Sequence, residues 1–202
     1  MEKNMIRLVN ENDAPRLLEI YSHYVQNTAI TFEYDVPCLE EFRRRIRATL
    51  QNYPYFAAIR GDKIVGYAYA GRFHPRKAYD YAAETTIYLD KDARRQGIGK
   101  ELYEALELAL GMQNITNLIA CIGFPEVEDK YLTRGSVDFH AHMGYRLVGQ
   151  FHKCGYKFGT WYDMVYMEKC LSAHPEKPFP IAPFSQIAEK FWNEYSKTAP
   201  RG

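Results

Sequence analysis

The chain has almost no net charge and no long hydrophobic run. Its 26 Lys and Arg residues and 25 Asp and Glu residues leave a formal net charge of +1 at pH 7, so it lacks the basic field that marks nucleic-acid-binding proteins. No apolar run approaches the roughly 20 residues of a membrane-spanning helix, and the N-terminus has no signal-peptide core. We therefore expect a protein that binds neither nucleic acid nor membranes.

The chain also has few cysteines, and they do not predict a metal site. The four are Cys38, Cys121, Cys154 and Cys170. No two of them have the spacing of metal ligands, and free cysteines fit a reducing, cytoplasmic compartment. His140 and His142 are two residues apart, which places them on different faces of a helix. We therefore expect no metal ion.

The most informative segment is an apolar strand followed by a basic, glycine-bearing loop that opens a helix. The loop runs from Arg94 to Lys100 and reads Arg-Arg-Gln-Gly-Ile-Gly-Lys. Backbone N–H groups at a helix start are unpaired, and the helix dipole adds partial positive charge there. Gly97 and Gly99 have no Cβ atom, so a ligand can approach the main chain closely. These features predict a cradle for a phosphate-bearing ligand.

Two common phosphate-binding loops do not fit this spacing. A Walker A loop has Ser or Thr after its lysine, whereas Glu101 follows Lys100. A dinucleotide fingerprint needs a third small residue where Leu102 stands. The remaining pattern, Arg94-x-x-Gly97-x-Gly99, resembles the pyrophosphate loop of the GNAT superfamily of N-acetyltransferases, which bind acetyl-coenzyme A. The alternative is a solvated basic turn that caps an amphipathic helix.

The order of predicted elements also resembles that superfamily. Hydrophobic periodicity predicts a strand, two helices, three strands, a helix, a strand, a helix and two strands over roughly residues 5–171. The resemblance implies an α/β fold, in which a mixed, mostly antiparallel sheet is flanked by helices and acetyl-CoA binds where central strands splay apart. We expect a GNAT domain over residues 1–171 and a C-terminal extension over residues 172–202. Near-helical spacing of apolar residues from Ile187 to Tyr195 predicts that the extension docks on the domain.

Several segments resemble the phosphinothricin acetyltransferase branch in particular. They are residues 31–33, 67–71, 76–80, 83–89, 136–145 and 157–163. This branch commonly forms homodimers, so the resemblance implies a second copy of the chain, with the aromatic residues of 157–163 at the interface. An ordinary hairpin with a buried tryptophan is the alternative. The chain departs from the branch in its long, charged segment 125–135, which leaves coenzyme and acceptor contacts there open.

Acetyl transfer to an amine needs a base for the ammonium proton, a stabilised carbonyl oxygen and a proton for the leaving thiolate. Glu84 is the predicted base, because partial burial in an apolar strand raises the pKa of a carboxyl group. The resemblance places His140 on the helix that lines the thioester, as a second catalytic residue that bonds the carbonyl or assists proton transfer. The hydroxyl groups of Tyr131 and Ser136 are the candidates to protonate or bond the thiolate sulfur. The coenzyme-binding residues predicted from the loop and the resemblance are Ile87, Tyr88, Leu89, Arg94, Arg95, Gln96, Gly97, Ile98, Gly99, Lys100 and Ser136.

The resemblance implies a small amino-acid-like acceptor, of the phosphinothricin or methionine sulfoximine type. A guanidinium binds a carboxylate or phosphinate bidentately, which makes Arg72 and Arg76 candidates for orienting it. Phe32, Glu33 and Tyr79 would wall the pocket, with Glu33 facing the α-ammonium group. Acetylation of a protein or peptide is one alternative, and a non-catalytic coenzyme A sensor is another. A sensor, however, has no need of a buried base.

Overall fold

The computed structural model describes residues 4–198. In chain order its strands and α-helices are β1 (Met5–Leu8), α1 (Ala14–Asn27), α2 (Leu39–Leu50), β2 (Tyr55–Arg60), β3 (Lys63–Arg72), β4 (Ala82–Leu89), α3 (Ile98–Met112), β5 (Asn117–Phe124), α4 (Gly135–His142), β6 (Arg146–Lys157), β7 (Thr160–Cys170) and α5 (Phe184–Thr198). This order confirms the predicted one, and the mixed sheet confirms the expected α/β class.

The strands form one seven-stranded sheet in the order β1-β2-β3-β4-β5-β7-β6. Neighbouring strands are antiparallel except β4 and β5, which are parallel. The β4–β5 pairing ends at Glu84 opposite Ile119, although β4 continues to Leu89 and β5 to Phe124. The two central strands therefore splay apart beyond Glu84 and open a cleft in the middle of the sheet.

Helices cover both faces of the sheet, but unequally. Helix α3 packs on one face, where Leu102, Leu106 and Leu110 are fully buried against the small side chains of β3 and β4. Helices α1 and α2 cover the other face over β2 and β3, with Leu17 and Ile46 fully buried. Beyond the cleft, β6 and β7 carry exposed hydrophobic side chains.

The described part of the C-terminal extension packs on the domain through α5. The Phe191 ring is fully buried, and its centroid lies 5.2 Å from that of Phe56 on β2. The Gln113 side chain donates to the carbonyl oxygens of Asn52 and Ala182, at 2.7 Å each. A division of the chain at residue 171 stays a prediction, and residues 199–202 of the predicted extension lie outside the described residues.

Residues 4–198 contain neither a candidate membrane span nor a candidate metal cluster. No helix there combines the length and apolarity that a membrane span requires. No group of three or more His, Cys, Asp or Glu side chains there is arranged to hold a metal ion. The four cysteines are free thiols.

Candidate active site

A cavity of about 290 Å³ occupies the cleft between β4 and β5. Its walls come from both strands, from helix α4 and from the segment between α1 and α2. It brings together six of the predicted site residues, which are Phe32, Glu84, Ile87, Tyr88, Ser136 and His140. The cavity lies where the resemblance places the thioester, because it begins at the last paired residues of the two strands.

Glu84 points into this cavity with an uncommitted carboxylate. Burial raises its pKa above the ordinary value, and the nearby His74 opposes that shift in part. No hydrogen bond from the described residues contributes to the shift. A carboxylate with a raised pKa and no fixed partner can accept a proton from a ligand in the cavity.

Of the three backbone N–H groups predicted to bond the thioester, two are directed to partners within the protein and one remains available. The N–H of Asp90 donates to a β3 carbonyl at 2.9 Å, so alternation turns the N–H of Tyr88 toward β3 and those of Ile87 and Leu89 toward the cleft. The Leu89 N–H, however, donates to the Tyr24 hydroxyl at 3.1 Å, and that hydroxyl donates back to the Leu89 carbonyl at 2.6 Å. This corrects the prediction that all three N–H groups face the thioester. The Ile87 N–H remains, because Ile87 lies beyond the part of β4 that pairs with β5 and its N–H faces the cleft.

His140 is buried below the cavity with both ring nitrogens engaged. Its Nδ1 lies 2.7 Å from the carbonyl oxygen of Ser136, which can only accept, so Nδ1 carries the proton. Its Nε2 lies 2.8 Å from the Tyr103 hydroxyl, which then donates. Burial lowers the pKa of His140 to about 4, so the ring is neutral at pH 7. This geometry favours a positioning role for His140 over proton transfer.

Two more hydroxyl groups lie beside Tyr103 at the floor of the cavity. Thr85 Oγ1 donates its one proton to the Ile119 carbonyl at 3.3 Å and accepts from the Tyr145 hydroxyl at 3.2 Å. The Tyr103 hydroxyl, which donates to His140, lies 3.4 Å from Thr85 Oγ1 in polar contact only. The sequence did not single out Tyr103, because it lies among the core leucines of α3. Its one signal is a polar group on an otherwise apolar face.

The basic loop before α3 has the conformation of an anion cradle. Gly97 is the N-terminal cap of α3 with φ of +83°, a left-handed conformation that L side chains rarely adopt. A Cβ placed on Gly97 meets no atom within 4 Å, so this side of the loop is open to a ligand. Arg95 also has a positive φ, of 60°. The open backbone, the helix dipole and the exposed cations fit a pyrophosphate group.

Gly99 is needed for helix packing, a role that its place in the loop did not predict. A Cβ there would lie 3.0 Å from Cε2 of Phe139 on α4. The missing side chain therefore lets α3 and α4 approach each other, and contact between the Gly99 backbone and the coenzyme stays a prediction.

The polar side chains of the same loop have contacts within the protein. The Arg94 guanidinium lies over the Tyr24 ring, 5.1 Å from its centroid. The Lys100 ammonium pairs with Glu104 at 3.7 Å. The Gln96 amide donates to the Asp92 carbonyl at 3.0 Å and its oxygen accepts from Arg60. We find no such contact for the exposed Arg95 side chain among the described residues, which leaves it the cation best able to reach a phosphate.

Two of the predicted acceptor residues lie close to the cavity that holds Glu84, called the Glu84 cavity below. Phe32 lines it directly. Glu33 lines an adjoining cavity of about 140 Å³, and the two cavities share Tyr69. Glu33 accepts from Arg45 of α2 at 2.7 Å. The sequence did not single out Arg45, because this contact depends on how α2 packs against the loop.

The other three predicted acceptor residues are not brought to the Glu84 cavity. Arg72 pairs with Asp80 at 3.2 Å and lines a separate cavity of about 440 Å³ under the C-terminal extension. Arg76 directly precedes a single helical turn at residues 77–79 and is absent from the cavity lining. The Tyr79 ring packs on His74, with centroids 5.0 Å apart. These positions follow from the fold of the β3–β4 connection and correct the sequence prediction.

Tyr131 is likewise not among the residues that line the cavity. Its ring stacks on Phe158 in the β6–β7 hairpin, with centroids 4.2 Å apart. Tyr131 and Ser136 were both predicted near the sulfur, but only Ser136 lines the cavity.

Comparisons with known proteins agree with this geometry. The family described as acetyltransferase (GNAT) domain matches residues 6–166. The chain is 35% identical to a phosphinothricin N-acetyltransferase of Alcaligenes faecalis over 169 residues, 83% of each chain. It is 29% identical over 180 residues to an L-methionine sulfoximine/L-methionine sulfone acetyltransferase of Pseudomonas aeruginosa, which covers 87% of this chain and 98% of that protein.

A solved structure extends the likeness to the fold. The phosphinothricin acetyltransferase of Sinorhizobium meliloti in complex with AcCoA superposes with a TM-score of 0.79 at 30% identity. The match covers 90% of this chain and 98% of that chain. The chain therefore belongs to the GNAT family of acetyltransferases and is an acetyl-transferring enzyme.

Proposed function

We propose that this enzyme transfers acetyl from acetyl-CoA to the primary amine of a small amino-acid-like acceptor, of the phosphinothricin or methionine sulfoximine type. The observation that carries the proposal is the uncommitted Glu84 carboxylate, with its raised pKa, at the point where β4 leaves β5. The acceptors named for the relatives support the substrate class.

Acetyl-CoA would supply the acetyl thioester, and the residues present fit it. The loop from Arg94 to Lys100 would hold the pyrophosphate, with the open backbone at Gly97 and the side chain of Arg95 in contact with it. The cleft between β4 and β5 would admit the pantetheine arm and the thioester. The Ile87 N–H would bond the carbonyl oxygen as it gains negative charge.

Proton transfers on the acceptor side fall to Glu84. An ammonium group has no lone pair, so Glu84 takes one of its protons and frees the amine for attack. The hydrogen-bonded His140–Tyr103 pair keeps the cavity floor in place. Attack forms the C–N bond, and the C–S bond then breaks. The second proton that the nitrogen loses passes to the departing sulfur, and we assign the Ser136 hydroxyl, in the cavity wall, as the relay that accepts that proton and donates its own.

The acceptor would bind on the side of Phe32 and Glu33. The adjoining cavity, at about 140 Å³, is smaller than the roughly 300–1,000 Å³ of typical ligand pockets. It carries a carboxylate and a guanidinium, Glu33 and Arg45, that complement the ammonium and the acid groups of an amino acid. A small, charged acceptor fits this space better than a peptide does.

We also propose that two copies pair through the uncovered end of the sheet. Five large hydrophobic residues on β6 and β7 are at least 46% exposed, and they are Leu147, Val148, Phe151, Tyr156 and Trp161. Exposed apolar patches of this kind mark interaction surfaces. A cytoplasmic location is part of the same proposal, and the free cysteines support it.

A thiol-release assay with acetyl-CoA tests the proposed function. The acceptors are phosphinothricin, methionine sulfoximine, the common amino acids, and peptides with a free N-terminus or lysine. We expect turnover with one or more of the amino-acid-like amines and none with peptides. Turnover confined to peptides would replace the small acceptor with a protein, and tight coenzyme binding without turnover on any amine would contradict the enzyme assignment.

A further inference from the structure

Lys157, at the end of β6, is buried, and no carboxylate among residues 4–198 is hydrogen-bonded to it. The residue is 2% exposed, and its ammonium group donates to three backbone carbonyls. These are the carbonyls of Val25 at 2.8 Å, Thr28 at 2.9 Å and Thr31 at 2.8 Å. An ammonium group has three protons, so every donor is satisfied by main chain alone.

The three carbonyls belong to the segment that leads into the acceptor residues. Val25 lies in the last turn of α1, where carbonyls have no helical partner and the helix dipole favours a cation. Thr28 and Thr31 follow in the connection that carries Phe32 and Glu33. A single side chain from the far end of the sheet therefore joins the end of α1 to the start of the acceptor loop.

The Phe32 ring is held by the same part of the sheet. A Cβ on Gly155 would overlap Cε2 of Phe32, and one on Gly123 would lie 3.7 Å from Cε1. The ring thus packs directly on glycine backbone in β5 and β6. Lys157 lies two residues beyond Gly155 on the same strand, so both contacts depend on the position of β6.

Burial lowers the pKa of Lys157, and the charge of Glu33 partly offsets this shift. A buried cation is costly unless its surroundings repay it. A fold that needed only to fill this space could do so with an apolar side chain. What the ammonium adds is a fixed geometry for residues 28–33.

We propose that Lys157 is a positioning residue for the acceptor. By binding the three carbonyls it fixes the 28–33 segment, and so sets Phe32 in the wall of the Glu84 cavity and Glu33 in the wall of the adjoining cavity. This inference rests on the proposed function, in which these two residues contact the acceptor. It predicts a defect in acceptor binding and none in coenzyme binding.

The test compares Lys157→Met with Lys153→Met in the full chain. Methionine keeps the length of the side chain and removes the charge and the donors. For phosphinothricin or methionine sulfoximine, whichever the wild type acetylates faster, we expect the acceptor KM of Lys157→Met to rise on the order of 10- to 100-fold. The kcat should stay within a few-fold of wild type, and calorimetry should give an unchanged Kd for coenzyme A. Lys153 is exposed on the same strand, so its variant should match wild type.

Hydrogen exchange on the free protein gives a readout that needs no turnover. We expect faster exchange in a peptide spanning residues 26–35 of Lys157→Met, and unchanged exchange in the 94–106 peptide. If the Lys157→Met protein cannot be purified, Lys157→Gln, which retains two donors, takes its place with the same expectations.

Equal losses of coenzyme and acceptor affinity would reduce Lys157 to a general stabilising role and overturn the proposal. Unchanged acceptor KM and exchange in a folded variant would overturn it as well. A failure of the proposed function looks different. In that case wild-type enzyme acetylates neither compound, while the exchange experiment still reports whether Lys157 fixes the segment.

Discussion

At the scale of single residues, the site depends on side chains whose partners are far away in the sequence. The Tyr24 hydroxyl of α1 accepts a hydrogen bond from the Leu89 N–H, and the Tyr103 hydroxyl of α3 donates one to Nε2 of His140. Neither contact can be deduced from local spacing. The first contact removes the Leu89 N–H from the donors predicted near the thioester. The second holds His140 in the floor of the cavity.

His140 makes a prediction about stability. Its folded pKa, about 4, lies below the ordinary 6.5, so between these values the unfolded chain binds a proton that the folded chain does not. The free energy of unfolding should therefore fall as pH decreases from 6.5 to 4, by roughly 3 kcal/mol from this group. Above pH 6.5 the group contributes nothing to the pH dependence.

Urea denaturation at several pH values, with His140→Gln and His142→Gln, measures this contribution. His142 lies on the same helix and is exposed, so His142→Gln should retain the wild-type slope. His140→Gln should have a shallower slope between pH 6.5 and 4. Identical slopes in all three proteins would show that His140 titrates normally in the folded state.

Gly97 makes a prediction about the coenzyme. A bulky side chain there would strain the left-handed backbone and occupy the open side of the loop, so Gly97→Trp should raise the coenzyme Kd sharply. Gly159, in the β6–β7 turn, has a similar φ of +77° and equally open surroundings, which makes Gly159→Trp a control for strain. Calorimetry with coenzyme A should give a higher Kd for the folded Gly97→Trp variant than for the folded Gly159→Trp variant. Equal Kd values would show that the loop does not bind the coenzyme.

At the scale of elements, the sequence predicted the order of strands and helices because periods of 2 and 3.6 residues are local properties. It also predicted the cleft, through the resemblance carried by residues 83–100. It assigned Gly99 to ligand approach because a loop sequence does not reveal which helix will pack against it. It missed Arg45 for the same reason, since only the packing of α2 brings that residue to Glu33.

Helix α5 makes a prediction about the extension. Phe191 is fully buried against Phe56, and burial of a large side chain in a well-packed site stabilises strongly. Phe191→Ala should lower the free energy of unfolding by about 3–5 kcal/mol. Phe179, in the linker before α5, is 75% exposed, so Phe179→Ala should leave it unchanged. Equal stabilities of the two variants would mean that α5 does not dock in solution.

At the scale of the whole molecule, the sheet is covered by helices except at its β6–β7 end. The exposed patch there, Leu147 to Trp161, should pair with a second copy. One chain has a mass of 23.6 kDa. Sedimentation equilibrium of the wild type should give twice this mass, and Trp161→Arg should shift the measured mass toward that of one chain. Val127 is 79% exposed outside the patch, so Val127→Arg should remain paired. A wild-type mass of one chain would contradict the dimer.

Glu84 is the proposed base for acetyl transfer to an amine, and the Glu84→Gln variant tests this role. The change keeps the shape of the side chain and removes its basicity. Single-turnover acetyl transfer at pH 7 should slow on the order of 10²–10⁴-fold, with the coenzyme Kd nearly intact, and the deficit should shrink as pH rises because more of the amine is already free. Glu189→Gln, on the surface of α5, should react like wild type. A wild-type single-turnover rate for Glu84→Gln at pH 7 would place the base elsewhere.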